Sequence, residues 1–344
     1  MSRTLRCAVR ALAVAVAGSA IGTAARALET DQYYAVTRPP LDATDVVNAK
    51  FNWEIEQELA SISPRQAGEL SCEQVAERIA RRFRFFIFQK IELWAVNSSL
   101  IARSPATVEE ELEFRRHSLY SLHGRLDIGM AIPPSPTISL AGVLVGTDKL
   151  SHFVSEGWRY HRRYQRARRR GQSHERAEHE AVRRGVRYEH AVLGLRSSGV
   201  FSRADLEANY QGMLFYRGLC DADAPALQRV AGKWCLERPL DLRDYVSPEW
   251  DESYQTSIYS RFRWRRVRSA LLEYCGLLDE KNYRDRHRHY RQRDGVTPSE
   301  KLLSRLIESG KLPAPSLFTL QHNCPNASRS QPRSPVQRLP EEGR

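Results

Sequence analysis

From about Ala43 to Ile62, apolar residues recur every three or four positions, the spacing of one helical face. A second helix is predicted from Ser71, where Ser-Cys-Glu-Gln sets a hydroxyl cap ahead of Gln74 at the third helical position. It continues through Val75, Ile79 and Phe83. The run from Phe83 to Ile101 is strongly apolar, but Arg84, Lys90, Glu92 and Asn97 interrupt it, so it reads as a buried helix and not a membrane span. Further helices are expected near 108–122, 147–170, 173–195, 203–217, 261–278 and 299–309. Ser247-Pro-Glu-Trp250 has the cap, first-position proline and early acid of another helix start. Residues 124–147 break the pattern. Ile132-Pro-Pro-Ser-Pro136 cannot be regular helix, and Leu140–Gly146 is apolar and glycine-flanked, a buried loop or short strand feeding the next helix. Strands are scarce and no internal repeat is evident. The fold class is therefore all-α: an irregular helical domain over 43–311 with long loops. An extended segment precedes it at 28–42, and a disordered tail rich in Pro, Ser, Asn and Arg follows at 312–344.

The first 27 residues read as a secretory signal peptide. Arg3, Arg6 and Arg10 precede an apolar run from Ala11 to Ile21, and Ala25-Arg26-Ala27 is a small-residue exit of the A-x-A type. No later segment is apolar enough for a transmembrane span. The expected location is thus periplasmic or secreted, the mature chain soluble or peripherally attached. Removing Arg3, Arg6, Arg10 and Arg26 lowers the net charge from +12 to +8, still clearly basic. In that compartment the expected anionic partner is an envelope lipid or polymer. Nucleic acid is not expected. Arginine tracts at Arg159–Arg170, Arg261–Arg268 and Arg284–Arg293 are either solvated helix faces or phosphate-binding surfaces. Five cysteines lie beyond the signal, and an oxidising compartment permits disulfides. Cys220 and Cys235 flank a short loop and are the preferred pair.

The most distinctive segment is Gly146-Thr-Asp-Lys-Leu-Ser-His-Phe153. On a helix Asp148 and His152 share a face, with Ser155 and Arg159 extending the stripe. It lies opposite an apolar stripe of Leu150, Phe153, Val154, Gly157 and Trp158. A carboxylate so placed either orients the imidazole or joins it in binding a metal. A second stripe runs through Asp205, Asn209, Gly212 and Tyr216, in a helix opened by Ser202. A third steps through Ala181, Gly185 and Glu189. Small residues allow close helix approach, so the three stripes are expected to converge on a polar cluster of Asp148, His152, Glu189, Asp205 and Asn209. The blander account is a pair of ordinary helix caps and a surface histidine.

Asp148-Lys-x-x-His-Phe resembles the DKxxHF signature of small exported or membrane-embedded bacterial proteins, including the VanZ-like teicoplanin-resistance group. The longer pattern, Gly-Thr-Asp-Lys-x-x-His-Phe followed by Ser-Gly-Val-Phe-Ser-x-x-Asp-Leu-x-Ala-Asn-Tyr, spans Gly146 to Gly218 and resembles a set of uncharacterised exported bacterial proteins. Neither resemblance implies an established reaction. By position they single out Asp148, Lys149, His152 and Phe153.

Other signals fail on spacing. His174 and His179 are five apart, where zinc-protease motifs need histidines four apart. His287 and His289 would point apart on a helix. No nucleophile elbow, phosphate loop or dinucleotide fingerprint is present. Two readings of function follow. One is a non-catalytic envelope protein that binds an anionic lipid or glycan through its basic surface. The other is a metal-assisted hydrolase of an envelope phosphoester or amide. There Asp148, His152 and Asp205 would hold a divalent ion such as zinc, and Glu189 with Asp205 would carry the catalysis, Glu189 as general base.

Overall fold

A computed structural model describes residues 29–85, 88–120, 134–190, 195, 198–221, 223–292 and 296–324. The proposed signal peptide lies outside them. Thr44–Ala60 (α1), Pro64–Glu69 (α2) and Cys72–Arg82 (α3) follow an N-terminal strap. The Ser71 capping box forms as expected, its hydroxyl accepting from Gln74 N while the Gln74 side chain accepts from Ser71 N. The run after Phe83 departs from expectation. Arg84–Phe85 (β1) pairs antiparallel with Phe88–Gln89 (β2), and only Lys90–Asn97 (α4) is helical there. Aromatic residues favour the pleated backbone, and propensity won over length. Val108–His117 (α5) is next.

The apolar run before the central motif is a hairpin. Thr137–Leu140 (β3) pairs with Val143–Gly146 (β4) around Ala141 and Gly142, which both have positive φ, the geometry of a tight hairpin turn. All eight strand residues are buried, so the hairpin is a core element. It passes directly into Thr147–Ser151 (α6), a π-helical segment His152–Glu156, and Gly157–Arg169 (α7). His174–Tyr188 (α8) returns alongside α7. Val200–Phe201 (β5) then leads into Arg203–Leu219 (α9), which lies between two hydrophobic clusters. Ala208, Phe215 and Leu219 face one of them, and Leu206, Tyr210 and Met213 the other.

After the hairpin of Leu227–Val230 (β6) and Lys233–Leu236 (β7), the chain returns to α9 through Ile258–Tyr259 (β8), which pairs with β5. The Ser247 start forms only a 3-10 turn, Pro248–Trp250, where a longer helix was expected. Arg261–Glu273 (α10), Lys281–Arg291 (α11), Pro298–Glu308 (α12) and Leu320–Asn323 (α13) complete the fold, α11 being unforeseen. The all-α expectation thus holds in its main feature, with small two-stranded sheets added. No helix among the described residues is long and apolar enough to cross a membrane.

Two corrections concern cysteines and the tail. Cys220 bonds to Cys72, not to Cys235, and Cys275 bonds to Cys324. The end of α9 abuts the start of α3, whereas Cys235 sits within β7 opposite Gln228. Residues 312–324, expected to be disordered, are folded: Leu312, Phe318 and Leu320 are buried. Composition hid these few apolar anchors and the cysteine that ties them down. Residues 325–344 lie outside the described set.

The N-terminal strap is also not a loose extension. Residues Glu29–Val36 are buried, and Asp31 accepts from Leu119 N at 2.8 Å, Tyr274 Oη at 3.0 Å and Tyr33 N at 3.1 Å. Thr30 bridges to Ser135 in parallel. This holds Glu29 and Thr30 against the start of α6.

Candidate functional site

Backbone approach sets the site. A Cβ on Gly212 of α9 would lie 1.9 Å from the carbonyl oxygen of Phe153, and one on Gly157 would lie 2.6 Å from Gly212 Cα. The α6–α7 rod and α9 therefore touch backbone to backbone, the role foreseen for Gly212, but they do so on Phe153 and Gly157 of the stripe read as apolar. Gly146 is needed for a second approach, because a Cβ there would collide with Thr30 Oγ1 and Asp148 Oδ1 at 2.1 and 2.2 Å. The π segment begins at His152. Such segments recur where a helix must re-aim side chains, often at functional sites.

At the centre lies Lys149, fully buried, on the motif helix α6. Its ammonium donates to Asp148 Oδ2 at 2.6 Å and to Glu252 Oε1 at 2.7 Å. It also lies 2.7 Å from Asp205 Oδ1, a charge contact without hydrogen-bond alignment. Thr30 Oγ1 donates to Asp148 Oδ1 at 2.6 Å, and Ser202 Oγ to Glu252 Oε1 at 2.8 Å. The Ser202 hydroxyl also caps α9 by accepting from Asp205 N at 3.1 Å. His152 Nε2 is 3.2 Å from Asp205 Oδ2, and its Nδ1 is 3.1 Å from Asn209 Oδ1. Both ring nitrogens thus face acceptors, the environment of an imidazolium. The His152 side chain keeps 18 % of its exposure, against 5 % for Asp205 and none for Lys149, so the histidine is the edge of the cluster that meets solvent.

Electrostatics divide the carboxyls into two kinds. Burial disfavours charge on Asp205, but His152 and Lys149 outweigh it and hold its pKa below the ordinary value. Burial likewise opposes the charges on Lys149 and His152, and is overcome by Asp148 first for the lysine and by Asp205 first for the histidine. Both pKa values rise. Glu252 is pushed up to about 7 by burial in spite of Lys149, with Asp205 and Asp148 adding repulsion. Glu189, at the end of α8, is pushed up to about 8 by burial and by Asp205. Glu29 rises well above its usual range through burial and the charges of Glu252 and Asp205. Five carboxyls therefore share the field of one lysine and one histidine. Glu29 Oε2 and Glu252 Oε2 are buried with no hydrogen-bond partner.

Of the expected cluster, Asp148, His152, Asp205 and Asn209 are brought together by direct contacts, and Glu189 is buried close enough for its charge to bear on His152. Ser155 is buried on the π segment, but none of the described polar contacts links it to the cluster. Arg159 does not join: it is exposed and pairs with Glu156 at 2.7 Å, because the extra π-helical residue rotates the stripe beyond it. Sequence reasoning missed Glu29, Thr30 and Glu252, which arrive from distant loops. It also left Lys149 off the polar stripe, although the DKxxHF resemblance marks that position. Phe153 sits in an aromatic core against Phe51, Phe215, Tyr245 and Trp250. His287 is buried and His289 exposed, pointing apart as foreseen. His174 and His179 share no site, His174 meeting Tyr164 instead.

Asp148, His152 and Asp205 offer ligand atoms all within 4.8 Å of one another, a group that could hold a metal ion. Tetrahedral zinc with bonds of about 2.0–2.2 Å separates its ligand atoms by roughly 3.3 Å, close to the 3.2 Å between His152 Nε2 and Asp205 Oδ2. Lys149 is the competing cation, since it already holds one oxygen of each aspartate. No family model, curated protein or solved structure matches this chain.

Proposed function

We propose that this is an exported, metal-assisted hydrolase of a cell-envelope phosphoester or amide, with its reaction centre at the His152 edge of the buried cluster. The observation that supports it is the surplus of carboxyls. Two cations cannot neutralise Glu29, Asp148, Glu189, Asp205 and Glu252, and an unpaired buried charge is expensive. Stability alone would be served as well by apolar residues of similar shape. A site that holds three acids above their usual pKa range is poised to release protons when a divalent ion binds or to deliver them to a substrate.

Asp148, His152 and Asp205 would hold the ion, zinc by the mix of nitrogen and oxygen donors. When bound, it supplies Lewis-acid polarisation of a carbonyl or phosphoryl oxygen. The chain's own residues do the rest. Lys149 fixes both aspartates from behind, and Asn209 orients the imidazole. Glu189 has a different role from the one its sequence position suggested. With its pKa near 8 it carries a proton at neutral pH, so it suits a proton donor to the leaving group and not a general base. Export is supported by the two disulfides, which oxidising compartments favour.

One observation favours the non-catalytic reading, in which the protein only binds an anionic envelope component. Lys149 already meets three carboxylate oxygens, as a purely structural cation would. Elemental analysis of protein purified without chelators separates the two. About one equivalent of divalent metal, reduced in both His152→Ala and His152→Gln, together with cleavage of a chromogenic phosphodiester or amide, is the expected result. Metal-free wild-type protein without hydrolytic activity would overturn the hydrolase.

A further inference from the structure

The segment Gly157–Arg170 carries seven arginines and no acid. On α7 the exposed ones, Arg159, Arg162, Arg166 and Arg169, are spaced three, four and three residues apart, so they form one stripe about 15 Å long. The helix α8 packs antiparallel to it, with the Tyr160 hydroxyl against Gly185. Arg183 and Arg187 of α8, each two residues from Gly185, are exposed beside that contact. Among the described residues only Arg159 of these six has an acidic partner, Glu156. A stripe that, Arg159 apart, meets no acid among the described residues is suited to an anion from outside.

The kind of anion follows from what the face contains and lacks. Guanidinium forks match phosphate oxygens two at a time, with a geometry that ammonium groups do not offer. A helix pair that lies on a bilayer also presents aromatic or aliphatic side chains for insertion. None of the exposed large hydrophobic residues, such as Phe262, Leu272 or Leu100, belongs to α7 or α8. The face is elongated, cationic and free of apolar anchors, which fits a linear phosphate chain better than a membrane.

Its position matters as well. Arg159 and Arg187 stand at the end of the hairpin nearest the cluster: Glu156 is Arg159's partner, its charge bears on Glu189, and Glu189 directly follows α8. We propose that the arginine stripe of the α7–α8 hairpin binds the backbone of a linear phosphate polymer and leads it toward His152. The second half of this statement rests on the hydrolase reading, and the first does not.

The test uses the full chain and linear inorganic polyphosphate as probe, followed by calorimetry across a salt series. A triple variant, Arg162→Glu with Arg166→Glu and Arg169→Glu, changes only exposed side chains, and a thermal melt confirms that it folds. Binding should weaken at least tenfold in the variant, and the slope of log K against log salt should fall in magnitude by about 2. Unchanged affinity in the folded variant would overturn the proposal. So would wild-type protein that prefers phosphatidylglycerol vesicles to polyphosphate. His152→Gln keeps the two readings apart. If it binds the polymer like wild type while the arginine variant does not, the stripe stands whatever the metal content. If the arginine variant binds normally, the stripe falls even for an active hydrolase.

Discussion

Replacing Lys149 with methionine keeps most of the side chain's volume and removes its charge, so the response reports electrostatics and not a cavity. Asp148, Asp205 and Glu252 would then share a buried space with no ammonium among them. Breaking a buried ion pair by deleting one partner typically destabilises by about 3–5 kcal/mol. At roughly 2–4 °C per kcal/mol for a chain of this size, thermal unfolding should drop by about 6–20 °C near neutral pH. The sign with pH follows from the remaining acids. Without the ammonium the pKa of Glu252, already raised by burial, climbs further above its unfolded value, and Asp205 loses one of the two cations that hold its pKa down. Stability is then retained below the unfolded values and lost as pH climbs through the folded values. Circular-dichroism melts at about pH 5 and about pH 7.5 should therefore show a large deficit at the higher pH and less than half of it at the lower. A deficit equal at both pH values, or no deficit, would refute the claim that Lys149 neutralises this cluster.

Three further outcomes follow from the same structure. Gly212→Ala forces a methyl into the Phe153 carbonyl, so it should destabilise by several kcal/mol, about 3 or more, and lower metal retention, seen by a melt and elemental analysis. Opening the Cys72–Cys220 bridge as the double serine variant frees a loop of 148 residues, and should lower unfolding stability by about 5 kcal/mol in the chain-entropy account, measured with denaturant. Burial holds the Asp31 carboxyl at about 6, above its unfolded value, so it favours folding fully at low pH and progressively less as pH rises from about 4 to 6. Asp31→Asn should flatten that part of the stability–pH curve, and a curve of unchanged slope would contradict the assignment.

The helical periodicity that marks α3 and α8 works because each has one face on a core, so burial leaves its mark at a fixed spacing, whereas α9, held between two clusters, is marked by its Ser202 cap. The same logic anticipated the meeting of Asp148, His152, Asp205 and Asn209, with Glu189 buried near them, since a small residue such as Gly212 allows close backbone contact, although its partner Gly157 lies on the stripe read as apolar. It failed wherever position depends on tertiary context. Glu29 and Thr30 look like a loose leader until Asp31 anchors them to Leu119 and Tyr274. Glu252 reaches the site through the pairing of β5 with β8, which no local pattern encodes. Lys149 was left off the site because a lysine on an amphipathic helix ordinarily faces water. Only the buried acids around it reverse that preference. The Cys220 pairing misled for a related reason: proximity in sequence stood in for proximity in space.

The central claim is that the His152 edge of this cluster takes a divalent ion. Cobalt(II), whose visible absorption reports its ligands, tests it directly when titrated into protein stripped of metal. A band that saturates near one equivalent, accompanied by proton release and abolished in His152→Gln, is the predicted result. A colourless titration, or the same band in His152→Gln, would contradict the account.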